Sequence, residues 1–515
     1  MGDSFLQALI QVSDIHTLFL IFAGVLFGII GGSIPGFTVT MAILVVFPFT
    51  FSMDPISGIA LMVAVFVGGY SGGIVSGVML GIPGTPSSIT TVYDGYPMAK
   101  KGEPGRALGI GMLASFFGTL ISILMLICFG PLIAKFSMNF RPWEITALIV
   151  FTLTLVAGLS NGALLKGLMA AAIGLFITTV GFDRNSNLRF DFGFDFLSGG
   201  FEILPVMIGI FAFSQLMDNV QSLNSNNSQA QGKIDTSLKI PFRKILIDLS
   251  RQKINVIRSS IIGGLVGALP GTGGTVANFL SYDQAKKLSR HPEKFGTGIP
   301  DGIIASEASN SAVAGGAFIP TLALGIPGDL PMAIMMGVLI LHGITPGPLM
   351  FEQNPILVGS IYASLLIAAF VMVLCQIFLM RWFAKISNIP QQVLVPSVLM
   401  LCAIGSFALN NNLFDVWVLF TFGIIGYLLC KSGVPLTPLI LGVVLGNNLE
   451  TQMFRALELD PSWTTFFTRP FSAFFFALAL ASVMFSIFQN RKATRTIKPR
   501  ATTEAQPQIG VTNEK

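Results

Sequence analysis

Stretches without a formal charge recur along the whole chain: Ile15 to Met53, Pro55 to Tyr93, Ala107 to Ala134, Ile145 to Leu165, Ser259 to Tyr282, Ala308 to Gly328, Gln353 to Met380 and Pro470 to Asn490. Each can cross a hydrocarbon core, which takes about 20 apolar residues, and the longest must fold back or hold two elements. By the same length criterion the chain carries roughly a dozen spanning or re-entrant segments. The runs are continuous in Leu, Ile and Phe and lack the weak alternation of a membrane barrel, so the segments are expected to be helices. The pattern predicts an all-α polytopic membrane protein.

A polar stretch, QSLNSNNSQAQGK from Gln221, separates two apolar halves, and across it the sequence repeats. GGSIPGFT from Gly31 resembles VGALPGTG from Val266, and LGIPG occurs at both Leu80 and Leu324. Farther on, Ala114-Ser115 matches Ala363-Ser364, and AKFS from Ala134 matches AKIS from Ala384, in the same order. The reading is an internal duplication: residues 1–220 form a first membrane repeat, 221–256 a polar and basic linker, 257–490 a second repeat, and 491–515 a disordered tail. Each half carries two Gly-Pro breaks inside apolar sequence. Interrupted hydrophobic segments at corresponding places in two halves point to a transporter binding site at the repeat interface.

A broken helix leaves backbone N–H groups that lipid cannot satisfy, so a break is tolerable only where protein, water or a ligand supplies partners. The helix that resumes after it presents about half a positive charge, which favours an anion. Gly36, Gly84, Gly271 and Gly328 are expected to allow positive backbone angles and close approach. Thr38, Thr85, Ser87, Ser88, Thr272, Thr275 and Asn278 offer hydrogen bonds. The plainer alternative is a set of tight turns and packing glycines, since Gly and Pro are frequent in membrane helices. Orientation has its own signal. Tyr93-Asp94 precedes Lys100-Lys101 after the second break of the first half, whereas Tyr282-Asp283 precedes Lys286-Lys287 after the first break of the second. Inverted repeats would bring both basic loops to one face, as the positive-inside rule prefers.

Composition agrees with a membrane chain: 52% of 515 residues are hydrophobic and 11% charged, against about 25% charged in an ordinary globular protein. Charge placement is more informative than the net +5. Lys233, Lys239, Arg243, Lys244, Arg251, Lys253 and Arg258 face only Asp235 and Asp248 in one interval, which places the linker in the cytoplasm. The tail from Arg491 is basic and then polar, and is expected in the cytoplasm too. These basic runs are explained by orientation, so no nucleic-acid partner is expected. Asp3 and Asp14 precede the first apolar run with no Lys or Arg, so that segment is expected to remain in the mature protein. Cys128, Cys375, Cys402 and Cys430 read as small packing residues, and His16, His291 and His342 are too dispersed for a ligand set. No metal cluster, haem or other cofactor is expected.

The stretches GIPGTPSSITTVYDGYPMAKKGEPGRALG and LPGTGGTVANFLSYDQAKKLSRHPEKFGTGIPDGIIASEASNSAVAGGAFIPTLALGIPG resemble the signature regions of the large membrane subunit of bacterial tripartite tricarboxylate transporters. The resemblance spans nearly the whole chain apart from linker and tail. It departs at ASEASNSA, where Ser306, Ser309 and Ser311 stand at positions that are commonly Pro, Ala and Asn; this bears on substrate choice beside Glu307 and Asn310. The resemblance implies a secondary transporter of the bacterial inner membrane, importing tricarboxylates such as citrate, or related organic acids. It further implies a small membrane subunit, a periplasmic solute-binding protein and a Na+ or H+ gradient. No Gly-x-x-x-x-Gly-Lys-Ser/Thr loop is present to bind ATP.

The expected mechanism has the four breaks converging near mid-membrane to hold substrate carboxylates, with Asn310 among the contacts. Glu307 is the candidate for ion coupling, because an ionisable group inside a membrane segment is costly and functional by default; the plainer alternative places it near an aqueous mouth as a helix cap. Asp329, next to Gly328, is either a second ion ligand or a helix cap. Lys100, Lys101, Arg106, Lys286 and Lys287 are expected to set topology. Asn410, Asn411 and Asn412, and the pair Asn447-Asn448, read as helix-end loops. Two classes compete. A passive organic-anion channel, the more serious alternative, shares these static motifs. An enzyme is not expected: an intramembrane aspartyl protease would need Asp94 and Asp283 to act as a pair, yet both precede basic, Pro-containing loops and no Gly-x-Gly-Asp partner appears.

Overall fold

The structure, a computed structural model, describes residues 2–159, 164–183, 186–223, 240–386 and 391–496. The first half comprises α1 (Gly2–Val12), α2 (Ile15–Ser33), α3 (Val39–Val46), α4 (Pro55–Leu80), α5 (Ile89–Lys100), α6 (Pro104–Ser137), α7 (Pro142–Leu159), α8 (Leu164–Ile177), α9 (Ile203–Met207) and α10 (Ser214–Leu223). A π-helical segment, Ile208–Phe213, joins the last two. The second half comprises α11 (Phe242–Arg251), α12 (Lys253–Gly267), α13 (Gly273–Leu288), α14 (Pro300–Leu324), α15 (Leu330–Leu341), α16 (Met350–Gln353), α17 (Pro355–Ile386), α18 (Gln391–Asn410), α19 (Leu413–Lys431), α20 (Leu436–Leu459), α21 (Thr465–Thr468) and α22 (Pro470–Thr496). Among the described residues the only strands are β1 (Gly181–Phe182) and β2 (Leu188–Arg189), an antiparallel pair.

Among the described residues, eight helices are long and apolar enough to cross a membrane, and four shorter apolar helices accompany them. The chain is a multi-pass membrane protein. Six of its longest helices (α4, α6, α7, α14, α17 and α22) open on proline, whose fixed φ suits a first turn that has no N–H bond to lose. The interval expected as a linker holds α11 and the start of α12, and 224–239 lie outside the described residues. The expected tail begins inside α22, and its remainder, 497–515, also lies outside them.

Two helices form the centre. Residues 57–79 of α4 and 302–323 of α14 are buried without interruption. They run antiparallel: Phe66 meets Phe318 edge to face at 6.2 Å, while farther along α4 the Tyr70 carbonyl accepts from Asn310 Nδ2 at 3.0 Å. Helix α2 lies along α4 in parallel, with Gly28 against the Val65 carbonyl and Gly32 against that of Gly69, so that both helices advance together. The chain must therefore return through α3 and the 3-10 turn Phe47–Ser52 to the face where α2 began, which makes α2–α3 a re-entrant hairpin. The same register recurs with Gly263 against Ser309 and Gly267 against Val313, so α12 parallels α14 and α13 is the return arm. Small residues are what permit this approach, since packing rather than the hydrophobic effect drives helix association in lipid.

A long helix flanks each centre. Ser137 of α6 donates to the Ala323 carbonyl of α14 at 2.9 Å, and Gln376 of α17 donates to Ser71 Oγ of α4 at 2.8 Å. Outside these, α20 packs on α8 through Gly442 and Gly174, and α19 on the π segment through Gly209 and Gly426. Arg469 clamps α22 to α7, bonding Glu144 at 2.5 Å and lying 4.9 Å over the Trp143 ring.

The loops after α5 and α13 meet at one end of the bundle, which also carries α11 and is strongly basic. Lys101 Nζ donates to the Thr297 carbonyl at 2.6 Å, and Arg106 forks onto Asp248 at 2.9 and 3.0 Å. Asp94 is fully buried here. It accepts from the backbone of Gly296, Gly298 and Ile299 at 2.8–3.1 Å and from Tyr282 OH at 2.9 Å, whereas Asp283 pairs with Lys287 at 2.6 Å. One expectation fails: Asn447 and Asn448 lie inside α20, not in a loop. Asn411, at φ +52°, and Asn412, which caps α19, do form a helix-end turn.

Candidate functional site

The breaks arise differently in the two kinds of position. At the tips of the hairpins Gly36 and Gly271 take φ of +84° and +76°, which an L side chain rarely adopts. At the second breaks the left-handed residues are instead Gly81 and Gly325, each ending its helix. Gly84 and Gly328, expected to supply that angle, serve close packing. A Cβ on Gly84 would stand 2.6 Å from Ser76 Oγ, and one on Gly328 would stand 2.5 Å from the Gly267 carbonyl. The Gly328 carbonyl also accepts from Gly271 N at 2.9 Å, which ties both breaks of the second half together.

All four breaks line one cavity of about 300 Å³. Thr38, Val39 and Thr40 come from the start of α3; Thr85, Pro86 and Ser87 from the turn before α5; Gly271 to Thr275 from the start of α13; and Asp329, Leu330 and Pro331 from the start of α15. Tyr70 of α4 closes one side, and Phe211, Gln215 and Thr437 close the other. Three of the four helix starts are capped locally, while Thr272 at the start of α13 makes no capping bond. Thr38 Oγ1 accepts from Met41 N at 3.3 Å, and Asp329 Oδ1 from Met332 N at 2.9 Å. Thr85 and Ser88 form a reciprocal box, Ser88 Oγ donating to the Thr85 carbonyl at 2.9 Å and accepting from Thr85 N at 3.3 Å.

The electrostatics follow from that arrangement. Four helix N-termini at about half a positive charge each place roughly two positive charges around the space. Among the described residues, Asp329 is the one acidic side chain in its lining, and no Lys or Arg lines it. The cavity thus suits an anion, while Asp329 leaves an oxygen-rich corner suited to a proton or a cation. Tyr70 OH donates to Asp329 Oδ2 at 2.6 Å.

Seven of the residues expected from sequence line the cavity: Thr38, Thr85, Ser87, Gly271, Thr272, Thr275 and Asp329. The others stand behind it. Gly36, Gly84, Ser88 and Gly328 shape the breaks. Asn278 joins α13 to its neighbours, accepting from Thr90 N at 3.0 Å and donating to the Ser306 carbonyl at 3.1 Å. Asn310 donates to Tyr70, and its Oδ1 is buried without a partner beside Gly274.

Glu307 sits deeper in α14, fully buried, accepting from Thr91 Oγ1 at 2.6 Å and Ser115 Oγ at 3.0 Å. Among the described residues no basic side chain lies within ion-pair distance of Glu307 or Asp329. Tyr70, Phe211, Gln215 and Thr437 were missed. A Tyr within the glycines of GGYSGG and a Gln inside FAFSQLM were the available signals.

Comparison with known proteins places these features in a family. The model of the tripartite tricarboxylate transporter TctA family matches residues 18–441. An uncharacterized 52.8 kDa protein of the TAR-I ttuC' 3' region of Agrobacterium vitis is 35% identical over 477 residues, covering 92% of this chain and 94% of the relative. An uncharacterized protein of the TAR-II ttuC' 3' region of the same organism is 38% identical over 234 residues, 45% of this chain and 97% of the relative. No solved structure matches. The chain belongs to the tripartite tricarboxylate transporter TctA family.

Proposed function

We propose that this chain is the large transmembrane subunit of a secondary transporter of the bacterial inner membrane. It imports tricarboxylates or related organic acids by Na+ or H+ symport, with solute delivered by a periplasmic binding protein and a small membrane subunit alongside. Family membership supports a transport role. The observation that carries the substrate reading is the convergence of four helix N-termini on one cavity, which suits carboxylate groups. Hydroxyls of Thr38, Thr40, Thr85, Ser87, Thr272 and Thr275 add directional contacts. Asp329 and Glu307, buried without basic partners, are the coupling residues in this reading. We further take the two halves as inverted repeats. The antiparallel centres α4 and α14, the hairpins α2–α3 and α12–α13 entering from opposite faces, and the contact of Lys101 with Thr297 support that relation.

Uptake of labelled carboxylates into proteoliposomes holding both membrane subunits, with binding protein outside and imposed ion gradients, tests the proposal. Concentrative uptake that requires both the binding protein and one cation gradient is expected. Flux that only equilibrates, without binding protein and under any gradient, would establish a passive channel instead.

A further inference from the structure

A second cavity, of about 520 Å³, opens at the basic end of the bundle, between the end of α11, the start of α12, the end of α13 and the start of α14. Three arginines line it: Arg251, Arg258 and Arg290. Their only carboxylate neighbour in the lining is Asp301, which is engaged by Gln252 Nε2 at 2.9 Å while its carbonyl accepts from Asn255 Nδ2 at 3.0 Å. Arg258 Nη2 donates to Asn255 Oδ1 at 2.7 Å, and its Nε is buried with no partner. Among the described residues no carboxylate lies within ion-pair distance of any of the three. A buried guanidinium N–H left unbonded is costly, and two further guanidiniums without carboxylate partners lining the same cavity concentrate positive potential there. The chemistry that satisfies all three is a phosphate, which arginine binds in bidentate fashion.

The surroundings indicate where that phosphate comes from. Ile254, in the cavity wall, begins a stripe along α12 that continues through Ile257, Ile261 and Leu265, exposed at 72%, 49%, 41% and 57%. Spaced three or four residues apart, these side chains share one face of the helix and run from the cavity toward the tip of the hairpin. Leu288, also in the wall, is exposed on the neighbouring arm. A free anion has no use for such a stripe, whereas an acyl chain does. We propose that this cavity binds the phosphate headgroup of an anionic phospholipid of the cytoplasmic leaflet, with an acyl chain along the α12 stripe. Basic pockets between membrane helices on that side suit such headgroups. The α12–α13 hairpin also forms a wall of the substrate cavity, so a lipid held here braces one arm of the transport site.

The test uses the purified full chain in nanodiscs of phosphatidylcholine alone or doped with phosphatidylglycerol, reading bound phosphatidylglycerol by native mass spectrometry and Tm by thermal unfolding. Retained phosphatidylglycerol and a raised Tm are expected. The double variant Arg251→Gln/Arg290→Gln, at exposed positions, should bind about 100-fold more weakly, since each guanidinium removed takes with it a direct charge-assisted bond to the phosphate worth about tenfold. The control Lys286→Gln/Lys287→Gln, on the same helix end but outside the cavity, should bind as the unaltered chain does. Equal loss in the control would reduce the effect to general surface charge and overturn the site. Inorganic phosphate producing the same Tm rise in phosphatidylcholine discs would overturn the lipid as its source.

Discussion

Replacing Glu307 separates a coupling role from a packing role. Glutamine keeps the volume and one acceptor, and because the Thr91 and Ser115 hydroxyls can each donate or accept, its amide can still be satisfied. Glu307→Gln should therefore cost about 1 kcal/mol of stability, the worth of a neutral hydrogen bond. Glu307→Ala strands both hydroxyls in a fully buried site at about 1–3 kcal/mol each and adds a cavity, so it should fail to fold or unfold readily. Transport is predicted to respond differently. In the proposed reading one carboxylate binds one coupling cation, and one charge moving through 100 mV supplies about 2.3 kcal/mol, or roughly 50-fold of accumulation. Glu307→Gln should lower the accumulation ratio in energised proteoliposomes by about that factor, while exchange of labelled for unlabelled solute persists. A well-folded Glu307→Gln protein that accumulates substrate as fully as the unaltered chain would refute the coupling reasoning and leave Glu307 as a packing residue.

Two further outcomes bear on the breaks and on the relation of the halves. Gly84→Ala sets a methyl 2.1 Å from the Gly32 carbonyl oxygen and 2.6 Å from Ser76 Oγ; overpacking of this kind costs about 1–3 kcal/mol or more, so substrate affinity in equilibrium binding should fall measurably, whereas Gly199→Ala, with open space around it, should change nothing. Lys101→Cys and Thr297→Cys should be joined by a short dithiol-reactive cross-linker and should both be labelled by an impermeant reagent from the cytoplasmic side only; labelling from opposite sides would sink the inverted relation.

Much of the candidate site is legible because a duplicated Gly-Pro break is a conspicuous defect in apolar sequence, and it can survive only where partners converge. That logic locates Thr38, Thr85, Thr272 and Asp329 without reference to a fold. It assigns the wrong glycine of LGIPG the positive φ, because the left-handed residue follows the last helical turn and is therefore Gly81 or Gly325. Other contacts depend on long-range packing that spacing does not encode. Tyr70 reaches Asp329 because α4 and α14 lie antiparallel, and Phe211 enters from a π-helical segment that no local propensity marks, with Gln215 just after it on α10. Asn447 and Asn448 were misread for a related reason: two amides in succession suggest a chain break, but α20 carries its buried face before them and continues to Leu459.

The two acids occupy unlike positions, and their difference bears on how coupling is read. Asp329 lines the cavity at the four breaks, so in the proposed reading any ion or proton it holds lies within Coulombic reach of a bound carboxylate and should alter substrate affinity directly. Glu307 does not line it. Its link is mechanical and contiguous: one turn along α14 stands Asn310, whose amide holds the Tyr70 carbonyl, and Tyr70 OH in turn holds Asp329. A change of state at Glu307 can reach the cavity along this line between α14 and α4, or through Thr91 at the start of α5, next to the turn that carries Thr85 and Ser87. Substrate affinity is therefore the sensitive readout for Asp329, and the accumulation ratio is the sensitive readout for Glu307.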